Sequence, residues 1–252
     1  MRAHNRPLRS SGHTAVWCST ERGAGDPPAT GDTMAGTVSI RARGRRAFAG
    51  PGMNRRASEH RGGRPIRTVA SFIFISLDGF HEGPDGELDW PNVDAEFHAF
   101  AARQLDEADA IGFGRATYEH MAAFWPTDQA MANDPHMTSR MNDKEKLVFS
   151  RTLTDAEWSG STVVRGEAVE HVAELKAAPG GELLVIGSAH LTADLARAGL
   201  LDELRIMIFP IVLGRGRSLF EDLGSRLKLE LLRVRRFDSG NLLLTYRPSP
   251  TF

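Results

Sequence analysis

Three stretches of this sequence place glycine, arginine or hydroxyl side chains at the point where an apolar run gives way to a predicted helix or turn. The first joins the apolar residues 110–113 to Gly114, Arg115 and Thr117. A helix N-terminus offers unpaired backbone N–H groups and a positive dipole end, and arginine adds a planar donor that suits phosphate oxygens. The pattern is typical of a phosphate-binding turn, and an ordinary strand-to-helix turn with a surface arginine is the alternative.

Two later stretches repeat this pattern. Ser150 and Arg151 follow one short apolar run, and Gly187, Ser188 and Ala189 follow another. In open α/β sheets, ligands bind at the carboxyl ends of the strands. Three such edges in one chain favour a nucleotide as the ligand.

The two arginines, Arg115 and Arg151, supply more positive charge than a pyrophosphate alone requires. An additional 2′-phosphate would use it, so the sequence favours NADPH over NADH. The alternative is that both are solvated surface charges, which is the usual environment of arginine.

The elements that must position these residues alternate between strands and helices. The almost wholly apolar run 68–76 predicts a central strand that is buried on both faces. The pattern then predicts helices at 94–106, 116–123, 168–177 and 192–198, a loop at 124–142 that lines a site, and strands at 108–113, 147–149, 162–164, 183–186 and 204–209. Residues 227–237 and 241–247, joined by Asp238-Ser239-Gly240, predict an antiparallel hairpin. We expect a doubly wound α/β sheet that ends antiparallel.

The composition changes near residue 67. Residues 1–67 contain 13 Arg, no Lys and four acids, whereas the rest contains 18 basic and 28 acidic residues. Because the first segment is rich in Gly, Pro and Arg and has no apolar period, we expect a disordered basic tail. Two interpretations of it stay open: an arm that binds DNA or RNA, and translated upstream sequence with the true start at Met34 or Met53. Residues 249–252 are expected to form a short second tail.

Several classes of protein are not expected. No apolar run approaches the length of a membrane span, and no secretory signal is present, so the cytoplasm is the expected compartment. The single cysteine, Cys18, lies in the basic tail, which leaves the folded part without a thiol nucleophile. No histidine or carboxylate set has ligand spacing, and we predict no metal. Redox chemistry would therefore need an organic cofactor.

The order of the motifs resembles the dihydrofolate-reductase-like superfamily. The motifs are SLDGF at 76–80, LDW at 88–90, GRATYE at 114–119, LVFSRTL at 147–153, LVIGSAHL at 184–191 and PIVLGRGRSLF at 210–220. Within the superfamily, residues 68–248 are most similar to the branch that contains the C-terminal reductase domain of riboflavin biosynthesis enzymes and its stand-alone relatives. The resemblance implies a three-layer α/β/α fold whose central, mostly parallel sheet ends in an antiparallel C-terminal hairpin.

The resemblance also implies a function and a cofactor site. It implies an NADPH-dependent reductase of a small heterocycle, with 5-amino-6-(5-phosphoribosylamino)uracil reductase as the nearest template. Dihydrofolate reduction and a non-catalytic nucleotide-binding or interaction module are the alternatives. By motif, Gly114, Arg115 and Thr117 would contact the adenosine side of NADPH, Ser150 and Arg151 its 2′-phosphate, and Gly187, Ser188 and Ala189 its pyrophosphate. Ser188 departs from a glycine that is frequent in related members.

Two aspartates are candidates for the catalytic acid. Asp78 follows the first strand directly, and Asp94 opens the first helix in a position similar to that of the acid of dihydrofolate reductases. Each has a structural alternative, because Asp78 also suits a turn and Asp94 also suits a helix N-cap.

Four further residues are candidates for substrate binding. Trp90 and Trp125 are expected to wall the pocket, and Arg215 and Arg217 to hold a ribose phosphate. The alternatives are a place in the core for the tryptophans and a solvated loop for the arginines. The resemblance finally implies a homodimer that forms through the C-terminal strands.

Overall fold

A computed structural model describes residues 67–221 and 223–249 of the chain. Residues 1–66 of the tail predicted at 1–67 lie outside this part, as do the last three residues. The described strands are β1 (Val69–Ser76), β2 (Phe80–Glu82), β3 (Ala108–Gly114), β4 (Glu145–Phe149), β5 (Ser161–Val164), β6 (Glu182–Ile186), β7 (Glu203–Phe209), β8 (Arg217–Ser218), β9 (Lys228–Arg236) and β10 (Leu242–Ser249). The described helices are α1 (Ala95–Glu107), α2 (Arg115–Ala122), α3 (Asp128–Asn133), α4 (Pro135–Asp143), α5 (Ala168–Ala177) and α6 (Ala189–Arg197).

Eight strands form one sheet in the order β5-β4-β3-β6-β1-β7-β10-β9. The pairs from β5 to β7 are parallel, and β10 pairs antiparallel with both β7 and β9. The predicted fold is therefore confirmed, including the antiparallel C-terminal hairpin. Strand β10 extends to Ser249, two residues beyond the predicted end of the hairpin. A separate pair of short strands, β2 and β8, lies beside the main sheet.

Helices cover both faces of the sheet because the central strands are apolar on both sides. In β1, Phe72 contributes to one core cluster with Phe97 of α1, whereas Ile73 contributes to the other with Leu195 of α6. Helices α1 to α4 bury their apolar residues in the first cluster, and α5 and α6 bury theirs in the second. This three-layer arrangement leaves the carboxyl ends of the parallel strands open for a site.

The predicted loop at 124–142 is wrong, because this segment contains α3 and α4. Thr127 caps α3 by accepting a hydrogen bond from the N–H of Ala130, and Asp134 caps α4 by accepting one from Met137. Pro135 is the first residue of α4, where its missing N–H costs nothing. The polar residues that suggested a loop are thus helix caps, and the segment packs on α1 instead of lining a site.

Candidate functional site

A cleft of about 540 Å³ opens at the carboxyl ends of strands β1, β3, β4 and β6. All eight residues that the sequence assigned to a nucleotide line this cleft: Gly114, Arg115, Thr117, Ser150, Arg151, Gly187, Ser188 and Ala189. They come from three separate strand ends, which the parallel order β4-β3-β6 places side by side. The structure thus brings together residues that lie up to 75 positions apart in the sequence.

The β3–α2 junction orients Arg115 firmly. The Nε atom of Arg115 donates to Glu119 at 2.7 Å, and its Nη1 atom donates to the hydroxyl of Thr152 at 2.8 Å. Gly114 is the N-cap of α2 and provides no side-chain cap. The first turn of α2 therefore presents its backbone and one guanidinium group to the cleft.

The end of β4 holds its two polar residues in different ways. The Ser150 hydroxyl accepts hydrogen bonds from the N–H groups of Thr152 and Leu153, so it stabilises the turn after the strand. Arg151 is solvent-exposed and contacts only Glu167 among the ion pairs of the described residues, at 3.3 Å. Its guanidinium group is therefore accessible to an anion in the cleft.

The β6–α6 junction has an unusual backbone. Gly187 and Ser188 both have positive φ, of 59° and 57°, and Ser188 is the only non-glycine residue with positive φ in the part described. The Ser188 hydroxyl accepts a hydrogen bond from the N–H of Gly114, while its own N–H donates to the Thr117 hydroxyl. These bonds tie the β6–α6 junction to the β3–α2 junction.

The helices that border the cleft differ from the others at their N-termini. Helices α2, α5 and α6 begin at the cleft, and none has a side-chain hydrogen bond at its N-cap. Helices α1, α3 and α4 begin elsewhere, and each is capped by an Asp or Thr side chain. A helix N-terminus without such a cap keeps backbone N–H groups that can donate hydrogen bonds to an anion. Three of them converge on one cleft.

Neither candidate catalytic aspartate lines the cleft. Asp78 accepts hydrogen bonds from the Ser76 hydroxyl and from the N–H groups of Leu213 and Gly214. Those bonds, chiefly the one from Ser76, lower the pKa of Asp78 below its usual 3.8. Asp94 is the N-cap of α1 and accepts from the N–H of Phe97 at 2.8 Å. The contacts of both residues are those of the structural alternatives: Asp78 stabilises a turn and Asp94 caps a helix.

The four candidate substrate residues separate into one that lines the cleft and three that do not. Arg217 lines it and pairs with Glu82 at 3.0 Å. Trp125 is 1% exposed in the core, which overturns the expectation that it walls a pocket. Trp90 packs edge-on against Phe209, and Arg215 lies on the exposed loop before β8.

Several ionisable residues at the cleft escaped the sequence analysis. His81, Glu82, His120, Glu167 and His190 all line it. Burial lowers the pKa of His81 below 6.5, and the neighbouring His190 and Arg217 act in the same direction against Glu82 and Glu221. The sequence signal for His81 was its place in the segment 79–86, which follows β1 and contains three glycines.

Two kinds of structural feature are absent from residues 67–221 and 223–249. No helix there is long and apolar enough to cross a membrane. No group of three or more His, Cys, Asp or Glu side chains there is arranged to hold a metal ion.

The sheet order and its cleft define an α/β domain with a candidate nucleotide site at the carboxyl ends of its parallel strands. Residues 67–243 match the RibD C-terminal domain, and the chain belongs to this family. The resemblance inferred from the motifs is therefore confirmed, and membership supports a reductase-like role.

Several known proteins are similar to this chain. The uncharacterized protein YyaP of Bacillus subtilis (strain 168) is 31% identical over 182 residues, which cover 71% of this chain and 94% of YyaP. A crystal structure of a protein from Shewanella sp. PV-4 named for riboflavin biosynthesis has a TM-score of 0.56 and 28% identity, and the match covers 72% of this chain and 99% of that one. The Thermotoga maritima deaminase and 5-amino-6-(5-phosphoribosylamino)uracil reductase has a TM-score of 0.50 and 15% identity over 74% of this chain and 57% of that one, which shows a shared fold alone.

Proposed function

We propose that this protein is an NADPH-dependent reductase of a small heterocycle. The observation that carries the proposal is the convergence of three helix N-termini without side-chain caps on a cleft that also holds Arg115 and Arg151. In proteins, backbone N–H groups and guanidinium groups are well suited to donate hydrogen bonds to phosphate and pyrophosphate oxygens. A dinucleotide with an additional phosphate matches this set of donors.

The residues present fit such a cofactor. A Cβ atom at Gly187 would lie 3.2 Å from the Thr117 side chain, so glycine allows the β6–α6 junction to pack closely against the first turn of α2. Ser188, Ala189 and the first turn of α6 would hold the pyrophosphate, and Arg115 and Arg151 the adenosine side. The cofactor would supply the hydride, and the chain would orient both rings.

The rest of the cleft suits a flat ring with an anionic substituent. Phe74, Leu88 and Met121 provide apolar surface, and His81 and Arg217 provide polar groups. Because its pKa is lowered, the His81 imidazole is largely neutral at pH 7 and can accept a hydrogen bond from a ring N–H. Arg217 would contact a phosphate of the substrate. This combination supports an aminouracil that carries a phosphoribosyl group as the nearest template.

A non-catalytic nucleotide-binding module is the second candidate. The observation that favours it is the absence of Asp78 and Asp94 from the lining of the cleft. This candidate predicts NADPH binding without oxidation in the presence of pyrimidines or pterins. A catalytic carboxylate would instead be indicated by a loss of at least about tenfold in kcat/KM in Asp78→Asn or Asp94→Asn.

Calorimetric titration of the full chain with NADPH and with NADH tests the cofactor assignment. We expect the Arg115→Ala, Arg151→Ala double variant to bind NADPH about 10- to 100-fold more weakly, because hydrogen bonds to charged groups contribute about 1.5–3 kcal/mol. Arg103 and Arg226 are exposed outside the cleft, and their double alanine variant is the matched control. Failure of the wild-type protein to bind either nucleotide would refute the proposal.

A further inference from the structure

Beyond the cofactor itself, we infer that Glu167 limits the preference of the cleft for 2′-phosphorylated over unphosphorylated nucleotides. This inference rests on the proposed function. It starts from a difference between the acidic partners of Arg115 and Arg151, the two arginines assigned to the nucleotide. Glu167 lines the cleft together with Arg151, whereas Glu119, the partner of Arg115, is not among the residues that line it.

The Arg115 pair adds no carboxylate to the lining of the cleft. Glu119 lies one turn along α2 and contacts Nε at 2.7 Å, while Thr152 contacts Nη1 at 2.8 Å. Two contacts of normal length from residues outside the cleft lining restrain the guanidinium group, and the Arg115 and Glu119 side chains are 50% and 47% exposed. An anion that binds Arg115 from the cleft therefore meets a restrained donor, while the Glu119 carboxylate lies on the Nε side of the group, outside the cleft lining.

The Arg151 pair has the opposite effect. The Oε1 atom of Glu167 is 3.3 Å from Nη1 of Arg151, and the two side chains are 64% and 77% exposed. A single long contact between exposed groups does little to orient either one. Glu167 thus contributes little to the position of Arg151, but it places a carboxylate on the same guanidinium group that a phosphate would use.

The chemistry of the ligand determines the consequence. A nucleotide phosphomonoester carries about two negative charges at pH 7, so it must displace the Glu167 carboxylate or bind beside it, and both lower its affinity. A ribose 2′-hydroxyl is neutral and can donate a hydrogen bond to a carboxylate, and acidic residues accept such a bond in NAD-binding sites. Glu167 therefore weakens the binding of NADPH more than that of NADH. It thereby reduces the difference in affinity between the two nucleotides.

A variant that lacks the Glu167 charge measures the effect of that charge on nucleotide binding. We expect Glu167→Gln to strengthen NADPH binding about three- to tenfold at about 0.05 M salt, with the gain reduced at about 0.5 M salt because screening weakens charge repulsion. NADH affinity should change less than about twofold, since glutamine keeps a hydrogen-bonding oxygen. The selectivity ratio from paired calorimetric titrations is the readout, and it requires no substrate.

Glu170→Gln is the matched control. Glu170 is exposed on the same helix, and the substitution removes the same charge outside the cleft. Unchanged selectivity in Glu167→Gln, or weaker NADPH binding because Glu167 holds Arg151 in place, would overturn the inference while the wild-type protein still binds NADPH. An equal gain in Glu170→Gln would also overturn it. Absence of nucleotide binding to the wild-type protein would instead refute the proposed function, and the inference with it.

Discussion

The hydroxyl of Thr117 accepts two hydrogen bonds from Ser188, one from its backbone N–H at 3.2 Å and one from its hydroxyl at 3.0 Å. The two residues are 71 positions apart and belong to different strand-to-helix junctions. The N–H of Gly114 donates to the same Ser188 hydroxyl at 2.9 Å. The Ser188 side chain therefore joins the two junctions where the proposed nucleotide site needs a fixed geometry.

The Ser188 side chain compensates for an unfavourable backbone. Left-handed backbone costs a non-glycine residue about 1–2 kcal/mol, and Ser188 has φ of 57°. Ser188→Ala keeps this cost and removes the hydroxyl, whereas Ser188→Gly removes both. We expect Ser188→Ala to unfold at lower denaturant concentration than Ser188→Gly, by about 1 kcal/mol in the free energy of unfolding.

Urea unfolding of the three proteins measures this difference. Similar unfolding free energies for both variants would show that the backbone at this position carries no cost. Thr117→Val tests the partner side, because it leaves the Ser188 N–H without its acceptor and should cost about 1–3 kcal/mol. Thr162 lies on the edge strand β5, is exposed and serves as a control through Thr162→Val.

The sequence predicted the main sheet because its strands are short apolar runs, and it predicted eight residues that line the cleft because they follow three of those strands directly. It failed at 124–142, where Asp134 and Pro135 have the composition of a loop but act as a helix N-cap and first residue. It also failed for Trp125, because an aromatic residue has the same sequence signature in a core and in a pocket wall. Glu167 was missed because its pairing with Arg151 depends on the tertiary structure.

Asp78 should contribute to the loss of folding stability at low pH. Hydrogen bonds from Ser76, Gly214 and Leu213 lower the pKa of Asp78 below 3.8 in the folded state. The Asp78 carboxylate therefore binds a proton less tightly in the folded protein than in the unfolded chain. The stabilisation is present above about pH 3.8 and is lost as the pH falls through the folded pKa. Asp78→Asn should therefore lose less stability than the wild-type protein on acidification.

Unfolding curves between about pH 5 and about pH 2.5 measure this effect. Asp89→Asn removes an exposed carboxylate from the segment after β2 and is the control. Parallel profiles for the wild-type protein and Asp78→Asn would contradict the prediction. In that case the three hydrogen bonds would not favour the charged form of Asp78 in solution.

The edge strand β9 is the surface that we propose for a homodimer. It is the last strand of the sheet, and its Leu231 and Val234 side chains are 52% and 55% exposed. An exposed edge with apolar residues favours pairing with another chain. A Leu231→Arg, Val234→Arg variant should elute as a monomer in size-exclusion chromatography with light scattering, whereas the wild-type protein should have twice that mass. A monomeric wild-type protein would refute the dimer.

Lys146 is a buried cation whose three hydrogen bonds connect parts of the chain that border β4. Its Nζ atom donates to the carbonyl oxygens of Asn142, Lys144 and Ser159 at 2.7–2.9 Å. It also lies 4.5 Å from the centre of the Trp158 ring, which favours the charged form. Burial lowers the pKa of Lys146 to about 8, so the ammonium form still predominates at pH 7.

Lys146→Met keeps much of the side-chain volume but removes every donor. The carbonyl oxygens would lose a charged partner in a buried site, and we expect a loss of about 2–4 kcal/mol in the free energy of unfolding at pH 7. Lys228→Met, at an exposed position on β9, should change the stability by less than about 0.5 kcal/mol. An equal effect of the two substitutions in urea unfolding would mean that water replaces the ammonium group at the three carbonyls. The expected large difference would instead establish Lys146 as the link between the end of α4, the start of β4 and the turn before β5.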